Sequence, residues 1–440
     1  MHDRTHSMQI QFATGIILLM LILQACVSIA PPVVGELPPL PEPPQPAEVG
    51  TTPNVQYATV KSGLEVFLNR GQWDQDLKYG LLANQTCVDR NLVHGVNLLP
   101  EHINLVLILS PEHGLFGAEN GGDLIGEEIE PSSGIKAVTT YRKKQAEINE
   151  MIADLDVILF DIQDIGVRSY TFIYSMSYIM KAASAMGKKV IILDRPNPIN
   201  GIQMEGNLLL PENASGVGRY PIPYRHGMTT GELAQLFNNE YGIHCDLEVV
   251  KMEGWTRDMW FEDTGLPWVP TSPHVPDAAT ILPMISTGTY GELHVLSEGV
   301  GITIPFEFSG GPWIKNPHEF AHALQARVGE GVIFRPTFVK PYYGRYKGQV
   351  CGGVQLHISN REQYEPYLVG LQILAVHQEL YPEIDLFANQ RRLGMFTKVM
   401  GDKQIELDIK AGKDPIDMRQ EWLKDLHEFA AMREQYLLYK

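Results

Sequence analysis

Three polar runs hold the residues most able to do chemistry, and each follows a short apolar stretch. Leu105 to Leu109 leads into Ser110-Pro111-Glu112-His113-Gly114. Val157 to Phe160 leads into Asp161-Ile162-Gln163-Asp164-Ile165-Gly166-Val167-Arg168-Ser169-Tyr170, and Val190 to Leu193 into Asp194-Arg195-Pro196-Asn197-Pro198. Carboxylates crowded at a partly desolvated site raise one another's pKa, so one can donate a proton while another stays ionised. That pairing suits hydrolysis of a glycosidic bond. Glu112 is the leading candidate, because Pro111 fixes its approach and Gly114 frees its exit. His113 is as readily an orienting group as a reactant. Asp161 and Asp194 have a second reading: each directly ends an apolar run and could cap a following helix or pair with Arg168 or Arg195.

The apolar runs read as buried strands of a parallel sheet, together with Lys78 to Ala83 before them and Leu247 to Val250 after them. Helices are predicted at Tyr141 to Leu155, at Phe172 to Met186, and from the capping sequence Thr229-Thr230-Gly231-Glu232 onward. Alternation of this kind gives an α/β fold with helices on both faces, and ligands bind beyond the carboxyl ends of such strands. Trp255 to Pro312, rich in Pro, Gly and Trp, reads as long ordered loops of the kind that build sites. A helix from Pro317 to Val328, strands near Gly331 to Phe338 and Gly353 to Ile358, and helices at Glu362 to Leu380 and Ile416 to Leu437 then make a smaller α/β part with a helical end.

Several function classes drop out. The 440 residues carry 35 Lys+Arg against 52 Asp+Glu, a formal charge of −17, with no basic stripe, which argues against nucleic acid as a partner. No GxGxxG turn follows the first strand, where Ala83-Asn84-Gln85-Thr86-Cys87 stands instead, and no P-loop or GxSxG elbow occurs. His113, Asp161 and Asp194 match no familiar ligand spacing, so no metal and no cofactor is expected. Four cysteines are too few for a disulfide scaffold; Cys87, Cys245 and Cys351 read as core residues.

Cys26 reads differently. The apolar run Ala13 to Ala25 is too short to span a bilayer, which takes about 20 residues, but suits a signal peptide. Leu23-Gln24-Ala25-Cys26 resembles a lipobox, with Cys26 as the lipidated residue. Nine prolines between Pro31 and Pro53 then make a semi-rigid extended spacer. The expected organisation is residues 1–25 as leader, 26–57 as spacer, 58–285 as catalytic domain and 286–440 as a second domain. The expected location is the cell envelope, on a membrane through Cys26, at the outer membrane facing the periplasm.

The motifs as a series are more specific than any one of them. Asn84-Gln85-Thr86, Pro111-Glu112-His113-Gly114, Asp161 through Thr171, Asp194-Arg195-Pro196-Asn197-Pro198, and His226-Gly227-Met228-Thr229 with Gly231-Glu232-Leu233 resemble the NamZ-type exo-β-N-acetylmuramidases, over roughly residues 60 to 440. The resemblance implies a Rossmann-like parallel-sheet N-terminal domain, a smaller α/β C-terminal domain and an active site in the cleft between them. It implies removal of a non-reducing-end N-acetylmuramic acid (MurNAc) from β-1,4-linked peptidoglycan fragments such as MurNAc-GlcNAc. Glu112 would be the general acid/base, with Asp161 and Asp164 as further catalytic candidates. His113, Arg168, Tyr170, Asp194, Arg195, Asn197, Arg225, His226 and Glu298 would line the sugar pocket. Arg168, Arg195 and Arg225 are the guanidinium groups expected to take the lactyl carboxylate. Two positions depart from the family's pattern: Val300 stands where an arginine is expected, and His274 where an asparagine is more usual.

Overall fold

Strict alternation within the buried strands sets the layers. In the computed structural model, which describes residues 60–440 except Gln72, Leu124 and Ile125, the N-terminal part is built on β1 (Lys78–Ala83), β2 (Asn104–Ser110), β3 (Glu128–Ile129), β4 (Lys136–Thr139), β5 (Val157–Asp161) and β6 (Lys189–Leu193). A two-stranded excursion, β7 (Glu205–Leu208) and β8 (Pro223–Arg225), precedes β9 (Asp246–Val250). The leader, Cys26 and the proline-rich spacer lie outside the described residues. The order across the sheet is β3-β4-β2-β1-β5-β6-β9, every pair parallel except β3 with β4 at the edge.

Successive strand residues point to opposite faces, and the two cores divide accordingly. Ile158, Phe160, Val190 and Ile192 pack into the core that includes Ile173, Met176 and Met180 of the helix Phe172–Met186 and Leu233 and Phe237 of the helix Thr230–Glu240. Val157, Leu159, Ile191 and Leu193 face the other side, with Leu64 and Phe67 of the helix Gly63–Asn69. Both faces are therefore covered, as a parallel sheet requires.

The C-terminal part holds β10 (Phe308–Gly311), β11 (Val332–Val339) and β12 (Cys351–Ile358), an antiparallel sheet in the order β10-β12-β11. The helices Pro317–Arg327 and Pro366–Leu380 pack near it, and the chain ends in the helices Gln390–Met400, Gln404–Lys410 and Pro415–Arg433. Phe320, Val354 and Tyr367 belong to the same core as Phe160 and Ile192, so one apolar interior runs through both parts. Cys87, Cys245 and Cys351 are buried free thiols.

Two expectations need correction. The helix placed at Tyr141 to Leu155 starts only at Gln145, where Glu147 accepts the Lys144 N–H at 2.9 Å, and it ends at Met151. The Trp255–Pro312 stretch is not all loop, because Ile281–Gly291 is helical. Pro283 obscured that helix, yet proline is tolerated in a first turn, whose N–H groups lack intrahelical partners.

Glu205 is expected to make the stability of the fold depend on pH. Its carboxylate accepts the Leu368 N–H at 2.9 Å in the first turn of the helix Pro366–Leu380, and burial pushes it up to about 8. An unfolded glutamate titrates at ~4.3, so between that pH and about 8 the folded chain holds a proton that the unfolded chain has lost. The associated stability is complete below the lower value and drains away as the pH rises through the upper one. In thermal unfolding at pH 5.5 and 8.5, Glu205→Gln is expected to narrow the gap between the two midpoints; an unchanged gap would assign the dependence elsewhere.

Candidate active site

The sheet order reverses at its centre: β2 and β4 lie to one side of β1, and β5, β6 and β9 to the other. That reversal opens a crevice at the carboxyl ends of the strands. Glu112 stands there, two residues beyond β2. The turn that aims it uses two consecutive left-handed residues, His113 (φ 71°) and Gly114 (φ 79°). A left-handed conformation at a non-glycine residue costs about 1–2 kcal/mol. The His113 ring, with Nδ1 2.8 Å from the Glu119 carbonyl, helps to hold it. A carbonyl can only accept, so Nδ1 carries a proton.

Both oxygens of half-buried Glu112 are fixed. Oε1 accepts the Gly122 N–H at 3.2 Å and Oε2 accepts the Thr171 hydroxyl at 2.9 Å. Thr171 precedes the helix Phe172–Met186 but makes no capping bond to it; the hydroxyl goes to Glu112 instead. Burial pushes the Tyr141 hydroxyl up, and the adjacent Glu112 carboxylate pushes it further. Tyr170 donates to Thr271 Oγ1 at 2.9 Å; burial pushes its hydroxyl up, and Asp164 and Glu112 add a smaller push. His274 is lowered by burial and by neighbouring His113, and its Nδ1 lies 3.4 Å from the hydroxyl of Tyr343. Tyr343 comes from the loop between β11 and β12, so the C-terminal part reaches the rim of the Glu112 site.

The other strand tips are mostly turned inward. Asp161 is fully buried and bound by both its oxygens to Arg195, through Nε and, at 2.8 Å, through Nη2; Arg195 Nη2 also donates to the Val88 carbonyl at 3.0 Å. Asp194 accepts from Gly231 N at 2.7 Å, from Thr229 Oγ1 at 2.7 Å and from the Tyr439 hydroxyl at 2.6 Å, tying the start of one helix to the chain's end. Burial raises it to about 6. Gly231 is required, since a Cβ there would stand 2.8 Å from the Asp194 carboxylate.

The arginines expected to take a sugar carboxylate are committed elsewhere. Arg168 donates to the carbonyls of Asn207 (2.6 Å), Ile222 (2.9 Å) and Met400 (2.7 Å), stitching the helix Gln390–Met400 to the β7–β8 excursion. Arg225 is buried against the Trp260 ring at 5.6 Å and donates to the Ile199 carbonyl. Asn197 bridges the Met228 carbonyl (3.0 Å) and the Ile199 N–H (3.1 Å). Glu298 pairs with Arg345 at 2.7 Å, which pins the β11–β12 loop. Asp161, Asp194, Arg195, Arg168, Arg225, Asn197 and Glu298, expected to face a ligand, are thus each bonded within the fold, while Nε of Arg168 and of Arg225 finds no partner among the described residues.

Asp164 and His226 are the exception among the inner residues. Asp164 Oδ2 accepts the Gly166 N–H at 2.8 Å, while Oδ1 has no partner among the described residues, and burial raises the carboxyl to about 7. His226 accepts the Met228 N–H on Nδ1 at 3.2 Å, leaving Nε2 protonated and 3.9 Å from Asp164 Oδ2; burial and three nearby arginines lower its pKa to about 3. Asp164 is thus a carboxyl able to keep its proton near neutral pH. Among the described residues no group of three or more His, Cys, Asp or Glu is arranged to hold a metal.

The N-terminal family profile, exo-β-N-acetylmuramidase NamZ, N-terminal, matches residues 79–279, and the C-terminal profile of the same enzyme matches residues 285–439. The chain belongs to the NamZ exo-β-N-acetylmuramidase family. A curated NamZ relative, the peptidoglycan β-N-acetylmuramidase of Bacillus subtilis (strain 168), is 38% identical over 385 residues, covering 86% of this chain and 91% of that protein. The fold agrees with crystal structures of two DUF1343 family proteins from Bacteroides fragilis. One superposes with a TM-score of 0.81 at 36% identity, covering 87% of this chain and 100% of that one. The other has a TM-score of 0.69 at 26% identity, covering 87% and 99%. Within this NamZ-family chain, Tyr141 and Tyr343 at the Glu112 site escaped the sequence reading. Tyr141 stands four residues before the helix Gln145–Met151, whose periodicity masks it, and Tyr343 lies more than two hundred residues from Glu112 in the chain.

Proposed function

We propose that this protein is an exo-β-N-acetylmuramidase that removes the non-reducing-end MurNAc from β-1,4-linked peptidoglycan fragments. The observation that carries the reading is Glu112, set at the crevice with both oxygens oriented by Gly122 and Thr171, in a chain of the NamZ family. Glu112 donates its proton to the glycosidic oxygen as the bond from C1 breaks, so the departing sugar leaves with a free hydroxyl and water supplies the hydroxyl on C1. Asp164 is the second carboxyl of the site, in preference to Asp161, because it carries no ion pair to an arginine. Its raised pKa favours a hydrogen-bond donor facing the sugar. Incubation with two disaccharides tests the reading. MurNAc-β-1,4-GlcNAc is expected to release free MurNAc while GlcNAc-β-1,4-MurNAc stays intact; cleavage of neither, or of both alike, would sink it.

We also propose that the enzyme works in the cell envelope, held on the membrane through a lipid on Cys26 and probing peptidoglycan on the periplasmic side of the outer membrane. Support comes from the sequence Leu23-Gln24-Ala25-Cys26 behind an apolar run and from the proline-rich spacer that follows. One lipid chain alone anchors weakly, so a multiply acylated N-terminus is implied. The full-length chain is expected in the membrane fraction and Cys26→Ser in the soluble fraction; equal membrane retention of both would remove Cys26 as the anchor.

A further inference from the structure

Resting on the muramidase reading, we infer that Arg142 is the residue that binds the lactyl carboxylate of the terminal sugar and so sets the preference for muramic acid over a neutral amino sugar. The sheet delivers it. β4 pairs in parallel with β2, with Thr139 opposite Ser110, and Thr140 binds the Ser110 carbonyl through its N–H at 2.8 Å and its hydroxyl at 3.0 Å. The chain leaving β4 therefore emerges beside the chain leaving β2, which carries Glu112.

Three observations place the guanidinium at the site. Its carbon lies 5.3 Å from the centre of the Tyr141 ring, whose hydroxyl adjoins Glu112. A Cβ built on Gly122 would stand 3.2 Å from Arg142 Nη2, and the Gly122 N–H is the one that holds Glu112 Oε1. Arg142 is also left-handed, at φ 58°, as His113 is at the tip of the neighbouring strand. Strained residues of this kind persist where surrounding structure fixes them, and they cluster at ligand sites.

The other arginines named above, and Lys143, are spoken for. Arg195 pairs with Asp161, Arg345 with Glu298 and Lys143 with Glu147, while Arg168 and Arg225 are buried on carbonyls. Arg142 is exposed and pairs with no carboxylate among the described residues. It reaches the Glu112 site through Gly122 and Tyr141 and forms no ion pair with Glu112. A cation set beside the acid rather than on it suits the substrate, whose lactyl ether is on C3 while the acid acts on the oxygen at C1. A guanidinium grips a carboxylate through two parallel bonds.

The test compares a chromogenic MurNAc glycoside with its counterpart in which the lactyl acid is a primary amide, using wild type, Arg142→Gln and Arg142→Lys. Wild type is expected to prefer the acid. Arg142→Gln should lose about 10–100-fold in kcat/KM on the acid, the scale of hydrogen bonds to a charged group, and little on the amide, with its thermal midpoint unchanged. Arg142→Lys should restore part of the loss. Equal losses on both substrates, or an intact preference in Arg142→Gln, would overturn the assignment. If wild type cleaves neither glycoside, the muramidase reading itself falls, and this inference with it.

Discussion

Glu112→Gln is expected to cut kcat by about 10²–10⁴-fold, the usual contribution of a positioned proton donor. The exchange is nearly isosteric. The amide oxygen can still accept the Thr171 hydroxyl or the Gly122 N–H, so the loop and the substrate-facing surface should keep their shape. What vanishes is the ability to hand a proton to the departing oxygen. KM should therefore move much less than kcat, and the thermal midpoint should stay close to wild type. A chromogenic glycoside whose leaving group is already acidic needs less protonation, and on it the loss should shrink. Turnover by Glu112→Gln within a few-fold of wild type on an unactivated disaccharide would remove Glu112 from the acid role and leave Asp164 to fill it.

Asp161→Ala should instead damage the fold. Asp161 is fully buried and holds the ion pair to Arg195; Glu65 acts on Arg195 only through space and is itself paired with Arg90. Taking away one partner of a buried pair leaves an uncompensated charge, at about 3–5 kcal/mol, against a total stability of only ~5–15 kcal/mol. A large fall in the unfolding midpoint, or loss of soluble protein, is the expected result. The double replacement Asp161→Leu with Arg195→Met separates structure from chemistry, because swapping both charges for apolar groups can recover stability. Activity should return with the fold in that variant. A stable double variant with no turnover would restore Asp161 to the catalytic set.

Much of the architecture was legible because it is written in local signals. The helix Phe172–Met186 was read to the residue, since its apolar periodicity is strong and Gly187, at φ 62°, closes it. The capping box from Thr229 to Glu232 marked the next helix start. β1, β2, β5, β6 and β9 announce themselves as apolar runs. β4 is only four residues long and β3 only two, and neither stands out from the surrounding polar chain. Tyr141 and Arg142 reach the site only through β4, so no signal along the chain places them there.

The sequence by itself determined that polar residues gather at the ends of three buried strands, and that Glu112, between Pro111 and Gly114, projects from one of them. Those facts depend on neighbours along the chain. It could not determine which of the gathered groups stay free, because their partners come from elsewhere: Asp161 meets Arg195 across 34 positions, and Arg168 meets the Met400 carbonyl across 232. Burial then forces the outcome. A charged group inside must be paired or hydrogen-bonded, so the interior ties Asp161, Asp194, Arg168, Arg195 and Arg225 into the fold, while Glu112 and Arg142 carry no ion pair among the described residues and buried Asp164 holds its proton more tightly. Tertiary structure decided which of the nominated groups are bound inside the fold, and it brought in Tyr141 and Arg142, which no local signal marks.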